Sequence, residues 1–299
     1  MMLKSVLIRI SIVLAGILIV VVGRSLFFYQ GLSVSSPGEM PAYQNITVPA
    51  VPTAEFSDNY EKGEGTILID RAHGNAFDKE ELNVLILRLV SRGLTIKFFT
   101  DGDDLEKELL AAQDEEEGEP EEELKMPDAF IIVSPRSEFS REEVKATANF
   151  TSQGGKLLLI ADPTRPSQIN SLALESGLIF ESDYLYNMEE NDANYRNIFV
   201  SEFEENELTE GLEKIALYTA GSISSAESSL AFVDGNTFSN LLATGQKLSP
   251  VALVEKSNVL AIYDLTFMTE PYNGILDNNQ FISNIADWLM SPGEKRELK

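Results

Sequence analysis

The chain has 299 residues, and 43% of them are hydrophobic, which is enough to bury the core of one large domain or two small ones. It carries 48 acidic against 23 basic residues, a formal net charge of -25, which repels polyanions and excludes nucleic acid as the expected partner. It contains no cysteine, so disulfides, thiolate nucleophiles and cysteine-ligated zinc are excluded as well.

An apolar segment near the N-terminus predicts one transmembrane helix. Its uncharged centre between Arg9 and Arg24 has about fourteen residues, which is short for a membrane span. Apolar flanks extend it to residues 6–29, roughly 36 Å of helix at 1.5 Å per residue. The aromatic residues 27–29 are typical of an interfacial belt, and arginines near the ends of a span can reach the headgroups.

The distribution of basic residues predicts the orientation of this anchor. Lys4 and Arg9 lie at its N-terminal end, whereas no Lys or Arg occurs between Arg24 and Lys62. Positively charged flanks stay inside, so residues 1–5 are predicted to be a cytoplasmic tail and the rest an extracytoplasmic domain on a single-pass cell-membrane anchor. The alternative is a signal peptide cleaved near Ser33, which also exports the domain.

After the anchor, residues 30–65 carry prolines and few apolar clusters, which predicts an extended linker. An α/β domain is predicted over 66–291, with an acidic insertion at 113–127 and a polar tail at 292–299. Its predicted strands are 66–70, 95–99, 129–133 and 157–161, and one helix is predicted between each strand and the next. The first helix has the capping-box pair Asp78 and Glu81, the second is a short helix at 105–112, and the third has the capping-box pair Ser140 and Glu143. The predicted buried stripe of the first helix is Leu82, Leu85, Ile86, Leu89 and Val90.

The second half of the domain gives weaker signals. Short strands are predicted at 215–218 and 230–233, and two more around Ser257 and Asn258. A final helix is predicted with Asp277 as its N-cap and the buried stripe Phe281, Ile282, Ile285, Trp288 and Leu289. Continuous apolar strands alternating with amphipathic helices indicate a doubly wound, mostly parallel sheet covered on both faces.

Ligands of such sheets bind at the carboxyl ends of the strands, so the polar residues that follow the predicted strands are the candidate ligand-binding residues. They are Asp70, His73, Asn75, Arg136, Ser137, Asp162, Arg165 and Asp264.

His73 is the single histidine and stands beside Gly74, which permits close approach of a ligand or loop. One interpretation is direct ligand binding by His73. In the other, His73 and Asn75 hydrogen-bond their own turn.

Three further chemistries remain open at these loops. His73 and Ser137 with an acid such as Asp264 form a possible hydrolytic triad, although no Gly-x-Ser-x-Gly elbow surrounds Ser137. Asp70, Asp162 and Asp264 with His73 are oxygen and nitrogen ligands for a hard cation. The carboxylates also suit helix caps or ion pairs with Arg71, Arg136 and Arg165. We predict no catalytic residue, no metal site and no cofactor.

Four segments carry a family resemblance: ILIDRAHGN, DAFIIVSPRSEFSREEV, SQGGKLLLIADPTR and YDLTFMTEPYNGILDNNQFISNIADWL. Over residues 66–289 the chain resembles the prokaryotic domain of unknown function 4350 family. That family is similar to the class I glutamine-amidotransferase-like fold and to gliding-motility-type ABC-transporter auxiliary proteins. The resemblance implies a flavodoxin-like sheet. It also implies a cysteine nucleophile at the elbow after strand 157–161, where this chain has Asp162, Pro163 and Thr164.

These observations favour a membrane-anchored, non-catalytic binding or scaffolding domain. The resemblance implies an auxiliary role with a membrane transporter or another envelope complex, and the strand-end residues allow a small ligand. The alternative is an envelope or extracellular hydrolase that uses His73 as its base.

Overall fold

The computed structural model describes residues 2–28, 56–110, 126–225, 228–242 and 247–293. Most of the predicted linker, most of the acidic insertion and most of the polar tail lie outside the described residues. The chain divides into two units, residues 1–48 and residues 49–299, and each is considered by itself.

The first unit contains one apolar helix, α1 (Met2–Phe28). Residues 4–27 form a 24-residue candidate membrane span with a mean hydropathy of 2.8, and their side chains are exposed. At 1.5 Å per residue this helix is roughly 36 Å long, so it matches the hydrocarbon thickness of a bilayer. The predicted apolar helix is confirmed; its orientation stays a prediction.

The second unit is a mixed α/β domain. Its helices are α2 (Asn83–Ser91), α3 (Leu105–Leu109), α4 (Arg141–Ser152), α5 (Asn170–Ala173) and α6 (Asn278–Met290). Its strands are β1 (Gly65–Asp70), β2 (Leu94–Phe99), β3 (Ala129–Val133), β4 (Lys156–Ile160), β5 (Leu178–Phe180), β6 (Leu185–Asn187), β7 (Asn197–Val200), β8 (Glu202–Phe203), β9 (Ile215–Tyr218), β10 (Ile223–Ser225), β11 (Ser229–Phe232), β12 (Thr237–Ser239), β13 (Val251–Val254) and β14 (Val259–Ile262).

A central sheet of eight strands has the order β2-β1-β3-β4-β14-β13-β11-β8. The first five strands in that order pair in parallel, and the last three pair antiparallel. With β14 counted as a fifth strand, the parallel part has the order 2-1-3-4-5, which is the strand order of flavodoxin-like sheets. The sheet is therefore mostly parallel, as predicted.

Helices cover both faces of this sheet. Alternate residues of each parallel strand, such as Ile69 and Leu68 in β1, belong to two separate apolar clusters. One cluster includes residues of α2 and α6, and the other includes residues of α3, α4 and α5. Because side chains of a strand alternate between faces, a fully apolar strand must be buried on both sides, and the doubly wound arrangement follows.

One predicted detail of the helices is wrong, and a second, the N-cap of α6, is confirmed in position but lacks a side-chain capping bond. Val90 belongs to the predicted buried stripe but is 52% exposed, because α2 is preceded by a 3-10 turn, Lys79–Leu82, whose tighter winding shifts the helical phase. Asp277 occupies the N-cap position of α6, but its side chain makes no capping bond. Its carboxylate instead accepts hydrogen bonds from the backbone N–H groups of Glu213 and Lys214, both at 2.8 Å.

The region of weak sequence signal is built from very short strands. Besides β8 and β11 at the end of the central sheet, it forms three two-stranded sheets, β10-β5, β12-β6 and β7-β9. The predicted strand 215–218 coincides with β9. The predicted strand 230–233 overlaps β11, which lies one residue earlier. The remaining strands of this region contain two to four residues, too few for a period of two to be recognised.

The predicted linker ends in a segment that is fixed to the domain. Residues 56–64, called here the strap, have no regular secondary structure. Asp58 accepts hydrogen bonds from Arg88 at 2.8 Å and from Arg92 at 3.1 Å. Arg92 is fully buried and also donates to Asp287 at 2.6 Å. The described part of the predicted linker is therefore fixed to the domain, because Asp58 binds Arg88 and Arg92.

Candidate functional site

His73 lies at the carboxyl end of β1, where β3 is the neighbouring strand in the central sheet. Its Nδ1 is 3.0 Å from Asp70 Oδ1, and its Nε2 is 3.4 Å from Glu143 Oε1. The ring also stacks on Phe139, with centroids 3.6 Å apart. Asp70 is fully buried and His73 is 6% exposed. The histidine is therefore enclosed by two carboxylates and an aromatic ring.

These neighbours determine the protonation of His73. Burial lowers the pKa of His73, but hydrogen bonding and charge from Asp70, followed by Glu143, outweigh burial and raise the pKa above its usual value. An imidazolium donates from both nitrogens, which satisfies both carboxylates. His73 therefore joins β1 to α4 through Asp70 and Glu143, and each of its ring nitrogens faces a carboxylate.

The turn around His73 is completed by Asn75 and by the loop after β3. Asn75 Nδ2 donates to Asp70 Oδ2 at 3.0 Å and to the carbonyl of Val133 at 2.9 Å. The carbonyl of His73 accepts from the backbone N–H groups of Arg136 at 2.9 Å and Ser137 at 3.1 Å. The side chains of Arg136 and Ser137 are exposed. The backbone of these two residues therefore contacts the histidine, and their role as ligand-binding side chains stays a prediction.

The loop after β4 forms a second cluster. Arg165 donates to the carbonyl of Ala76 at 2.9 Å and to Glu81 Oε2 at 2.7 Å. Its Nε is 3.8 Å from Asp162 Oδ2. The hydrogen bond from Arg165, together with other contacts that outweigh burial, lowers the pKa of Glu81. Arg165 thus fixes the start of the helix that follows β1, in the same way that His73 holds the start of α4.

Asp264 follows β14 and is fully buried. It accepts hydrogen bonds from the backbone N–H groups of Tyr218 at 2.7 Å and Thr266 at 2.8 Å. Burial first, and then the charge of Asp162, raise the pKa of Asp264 to about 8 against the opposing effect of these hydrogen bonds. Asp264 is therefore a protonated structural acid at neutral pH.

The structure thus divides the eight predicted residues into local clusters rather than one open site. Asp70, His73 and Asn75 form the first, Asp162 and Arg165 the second, and Asp264 contacts the backbone of β9. Sequence reasoning missed Glu81 and Glu143 as partners of Arg165 and His73. Both glutamates stand at capping-box spacing, and that spacing was the available signal.

Two buried polar atoms remain without a hydrogen-bond partner between β1 and β3. They are Asn75 Oδ1 and Ser134 Oγ, and this statement covers only the residues that the structure describes. Ser134 is fully buried and has a φ of 39°, an uncommon conformation for a residue other than glycine. Both atoms lie in the turns that directly follow β1 and β3.

The cavities lie at the opposite edge of the sheet, where the β13–β14 hairpin turns. The larger has a volume of about 630 Å³ and includes Glu204, Glu205 and Glu255 in its wall. The smaller, of about 230 Å³, includes Lys156 and Trp288. Burial lowers the pKa of Lys156 to about 8, while its ammonium donates to Ser291 Oγ at 2.6 Å and to the carbonyl of Trp288. Lys156 therefore caps the end of α6.

Within the described ranges, no group of three or more histidine, aspartate or glutamate side chains is arranged to hold a metal ion. No protein-family model matches the chain, and no curated protein matches it. Among solved structures, "mmIFT52 N-terminal domain" is 16% identical with a TM-score of 0.61, and the match covers 75% of this chain and 97% of that one. At this identity the likeness shows the fold alone.

Two further solved structures match with lower TM-scores. Exo-beta-1,4-mannosidase Op5Man5 from Opitutaceae bacterium strain TAV5 is 13% identical with a TM-score of 0.39, over 78% of this chain and 37% of that one. A ThuA-like protein from Parabacteroides merdae is 10% identical with a TM-score of 0.41, over 80% of this chain and 93% of that one.

Proposed function

We propose that this chain is a single-pass membrane protein whose α/β domain lies outside the cytoplasm and acts as a non-catalytic binding or scaffolding module. In this proposal it belongs to the prokaryotic domain of unknown function 4350 family, has an amidotransferase-like sheet, and serves an ABC transporter or another envelope complex. The apolar helix α1 and the basic residues at its N-terminal end support the anchor and its orientation.

The observation that carries the non-catalytic role is the enclosure of His73. A general base must present a nitrogen to the proton that it removes. Here Nδ1 faces Asp70 at 3.0 Å and Nε2 faces Glu143 at 3.4 Å. Although burial lowers the pKa of His73, Asp70 and Glu143 raise it above its usual value, which favours the imidazolium over the neutral imidazole that a general base needs. This arrangement counts against a Ser137–His73 hydrolase.

The loop after β4 supports the same proposal. Asp162 accepts from the backbone N–H of Thr164 at 2.8 Å, so the residue at the elbow position closes a local turn. The chain has no cysteine that could act as a nucleophile instead. An amidotransferase-like sheet without its nucleophile is suited to binding rather than turnover.

The catalytic part of the proposal is tested with purified full-length chain on a panel of ester, peptide and glycoside substrates. We expect wild-type chain and His73→Ala to show the same background rate on every substrate. Turnover by the wild type that is lost in His73→Ala would establish the hydrolase instead.

The scaffolding part is tested by crosslinking in native membranes. The control is an unrelated soluble domain fused to residues 1–55, which keeps the anchor and removes the α/β domain. We expect membrane proteins that crosslink to the full chain and not to the control. If both give the same products, the domain does not act as a scaffold.

A further inference from the structure

The outward side of one small sheet carries a cluster of aromatic rings. β6 pairs antiparallel with β12, and Tyr186 lies directly opposite Phe238 in that register. The ring centroid of Tyr186 is 6.0 Å from that of Phe238 and 6.4 Å from those of Tyr184 and Tyr195. We call Tyr184, Tyr186, Tyr195 and Phe238 the tyrosine face. Tyrosine is enriched at protein interfaces because it offers a large apolar surface with a polar tip.

The side of this sheet behind the tyrosine face is held by buried polar groups. Asp183 is 3% exposed and accepts from Ser222 Oγ at 2.8 Å and from Ser239 Oγ at 2.6 Å. Asn187 is 2% exposed and donates to Thr237 Oγ1 at 3.1 Å. A hydrogen-bonded buried layer fixes the strands, so little conformational entropy remains to be lost when a partner contacts the rings.

Arg196 shows which chemical group these rings accept. Its guanidinium carbon lies 4.5 Å from the ring centroid of Tyr184 and 5.5 Å from that of Tyr195. Among the residues that the structure describes, Arg196 forms no ion pair with a carboxylate, and its buried Nε has no hydrogen-bond partner. The guanidinium is therefore held by Tyr195 and Tyr184, through hydrogen bonding to their side chains and through contact with their ring faces.

The rim of the tyrosine face is acidic. Glu189 and Glu190 directly follow Met188, and all three side chains are exposed. Glu189 accepts from Asn236 at 3.0 Å, which places its carboxylate at the end of the β6–β12 pair. The whole chain carries a formal net charge of -25, so its field attracts cationic partners.

We propose that the tyrosine face binds a basic segment of a partner protein, with an arginine or lysine side chain stacked on Tyr186 and Phe238 and a further charge paired with Glu189. Arg196 already covers Tyr184 and Tyr195, and Glu190 is already paired with Lys214. Tyr186 is the central residue because it contacts each of the other three rings. This inference rests on the proposed binding role of the domain, and it supplies the chemistry of the partner.

The test uses the full-length chain in detergent and a fluorescent peptide of alternating glycine and arginine. The same peptide with citrulline in place of arginine keeps the length and removes the charge. We expect the arginine peptide to bind and the citrulline peptide not to bind. Tyr186→Leu keeps apolar bulk opposite Phe238 but removes the aromatic ring, and should weaken binding about two- to fivefold.

The matched control is Phe98→Leu, which removes an aromatic ring that is 43% exposed on β2. We expect it to bind like the wild type, because it leaves both the net charge and the tyrosine face unchanged. Combined replacement of Tyr184, Tyr186 and Tyr195 by Leu should reduce binding further, with thermal unfolding confirming that the variants fold.

Equal binding of the arginine peptide by wild type and Tyr186→Leu would overturn the proposal. The proposal would also fail if the wild type bound the oligosaccharide cellohexaose saturably, and if Tyr186→Leu abolished that binding but left peptide binding unchanged. Domain-specific crosslinks in native membranes that persist in the triple variant would overturn the tyrosine face alone and leave the scaffolding role intact. Absence of domain-specific crosslinks and of peptide binding in the wild type itself would count against the scaffolding role and the tyrosine face together.

Discussion

At the residue scale, the protonation of His73 connects the loop after β1 to helix α4 through Asp70 and Glu143. The folded-state pKa of His73 is raised, so its charged contacts contribute fully below the unfolded pKa of about 6.5 and are lost as pH rises through the folded pKa. We predict that His73→Gln costs roughly 3 kcal/mol of unfolding free energy at pH 5 and less above pH 8. Denaturant unfolding at both pH values measures this difference.

The matched variant Glu143→Gln removes only the outer contact of His73. Its cost should be smaller, because the side chain of Glu143 is 28% exposed whereas that of Asp70 is fully buried. A cost of His73→Gln that does not change with pH would contradict a charged His73.

Asp264 gives a second prediction, with a different pH window. Its pKa is raised to about 8, so between about pH 4 and pH 8 the native state holds a proton that the unfolded chain releases. The unfolding free energy of the wild type should therefore fall as pH rises through this window, and Asp264→Asn should lack that component. The carboxyl ¹³C shift of Asp264 should titrate near pH 8; titration near pH 4 would contradict the prediction.

Residue chemistry at the strand ends could be predicted from the sequence only in part. Parallel strands bring their carboxyl ends to one edge, so Asp70, His73 and Asn75 were found by position. Their partner Glu143 was not, because it lies 70 residues further along the chain and its spacing reports only the local helix cap. A long-range ion pair leaves no periodic signal in a single sequence.

At the element scale, the capping box of α4 also orients Glu143, the residue that contacts His73. Ser140 Oγ accepts from the backbone N–H of Glu143 at 3.2 Å, and the Glu143 carboxylate accepts from the N–H of Ser140 at 2.8 Å. Ser140→Ala should cost about 1 kcal/mol, and part of that cost should disappear in a His73→Gln background, because the box orients Glu143 towards His73. A double-mutant cycle by urea unfolding measures the coupling. Strict additivity would show that the box acts on the helix alone.

The strap is an element without secondary structure, and its stability depends on Asp58. Burial opposes ionisation of Asp58, but hydrogen bonds from Arg92 and Ser283 and the two arginine charges lower its pKa. Asp58→Asn should cost roughly 3 kcal/mol, because it removes a partner of the fully buried Arg92. Limited proteolysis should then cut within residues 56–64.

The control for the strap is Asp287→Asn, whose side chain is 43% exposed and should matter less. In the wild type, the contribution of Asp58 is present above about pH 4 and is lost as pH falls through its lowered folded pKa. Cleavage of the strap at neutral pH in the wild type would contradict its fixation.

Longer and fully buried elements could be predicted from the sequence, whereas very short ones could not. The predicted bounds of β3 coincide with the observed ones because five consecutive residues are apolar and fully buried. β8 contains two residues, which pair with β11, and a stretch this short carries no local pattern that identifies it. The phase of α2 could not be predicted either, since nothing in its composition reports the 3-10 turn before it.

At the scale of the whole molecule, the position of β14 decides the topology. Val259–Ile262 pairs in parallel with β4, although about a hundred residues separate them in the chain. The sequence predicted both strands and a parallel sheet, but their adjacency depends on tertiary packing over that distance. Three of the intervening strands, β13, β11 and β8, then form the antiparallel end of the same sheet.

The orientation of the whole chain can be tested through its lack of cysteine. Ser5→Cys and Ser182→Cys each introduce one thiol at an exposed position, on α1 and in the α/β domain respectively. Because basic residues lie at the N-terminal end of α1, we expect a membrane-impermeant maleimide to label the thiol at position 182 in intact cells. The thiol at position 5 should react only after permeabilisation.

In the same experiment, both variants should remain with the membrane after a carbonate wash, because a 24-residue apolar helix inserts stably. Labelling at position 5 in intact cells would reverse the orientation and place the tyrosine face in the cytoplasm. The segment would instead be a cleaved signal peptide if two results were found together. The Ser182→Cys variant would be exported as soluble, labelled protein, and the exported form of the Ser5→Cys variant would lack its thiol. That result would keep an exported binding domain but remove its attachment to a membrane complex.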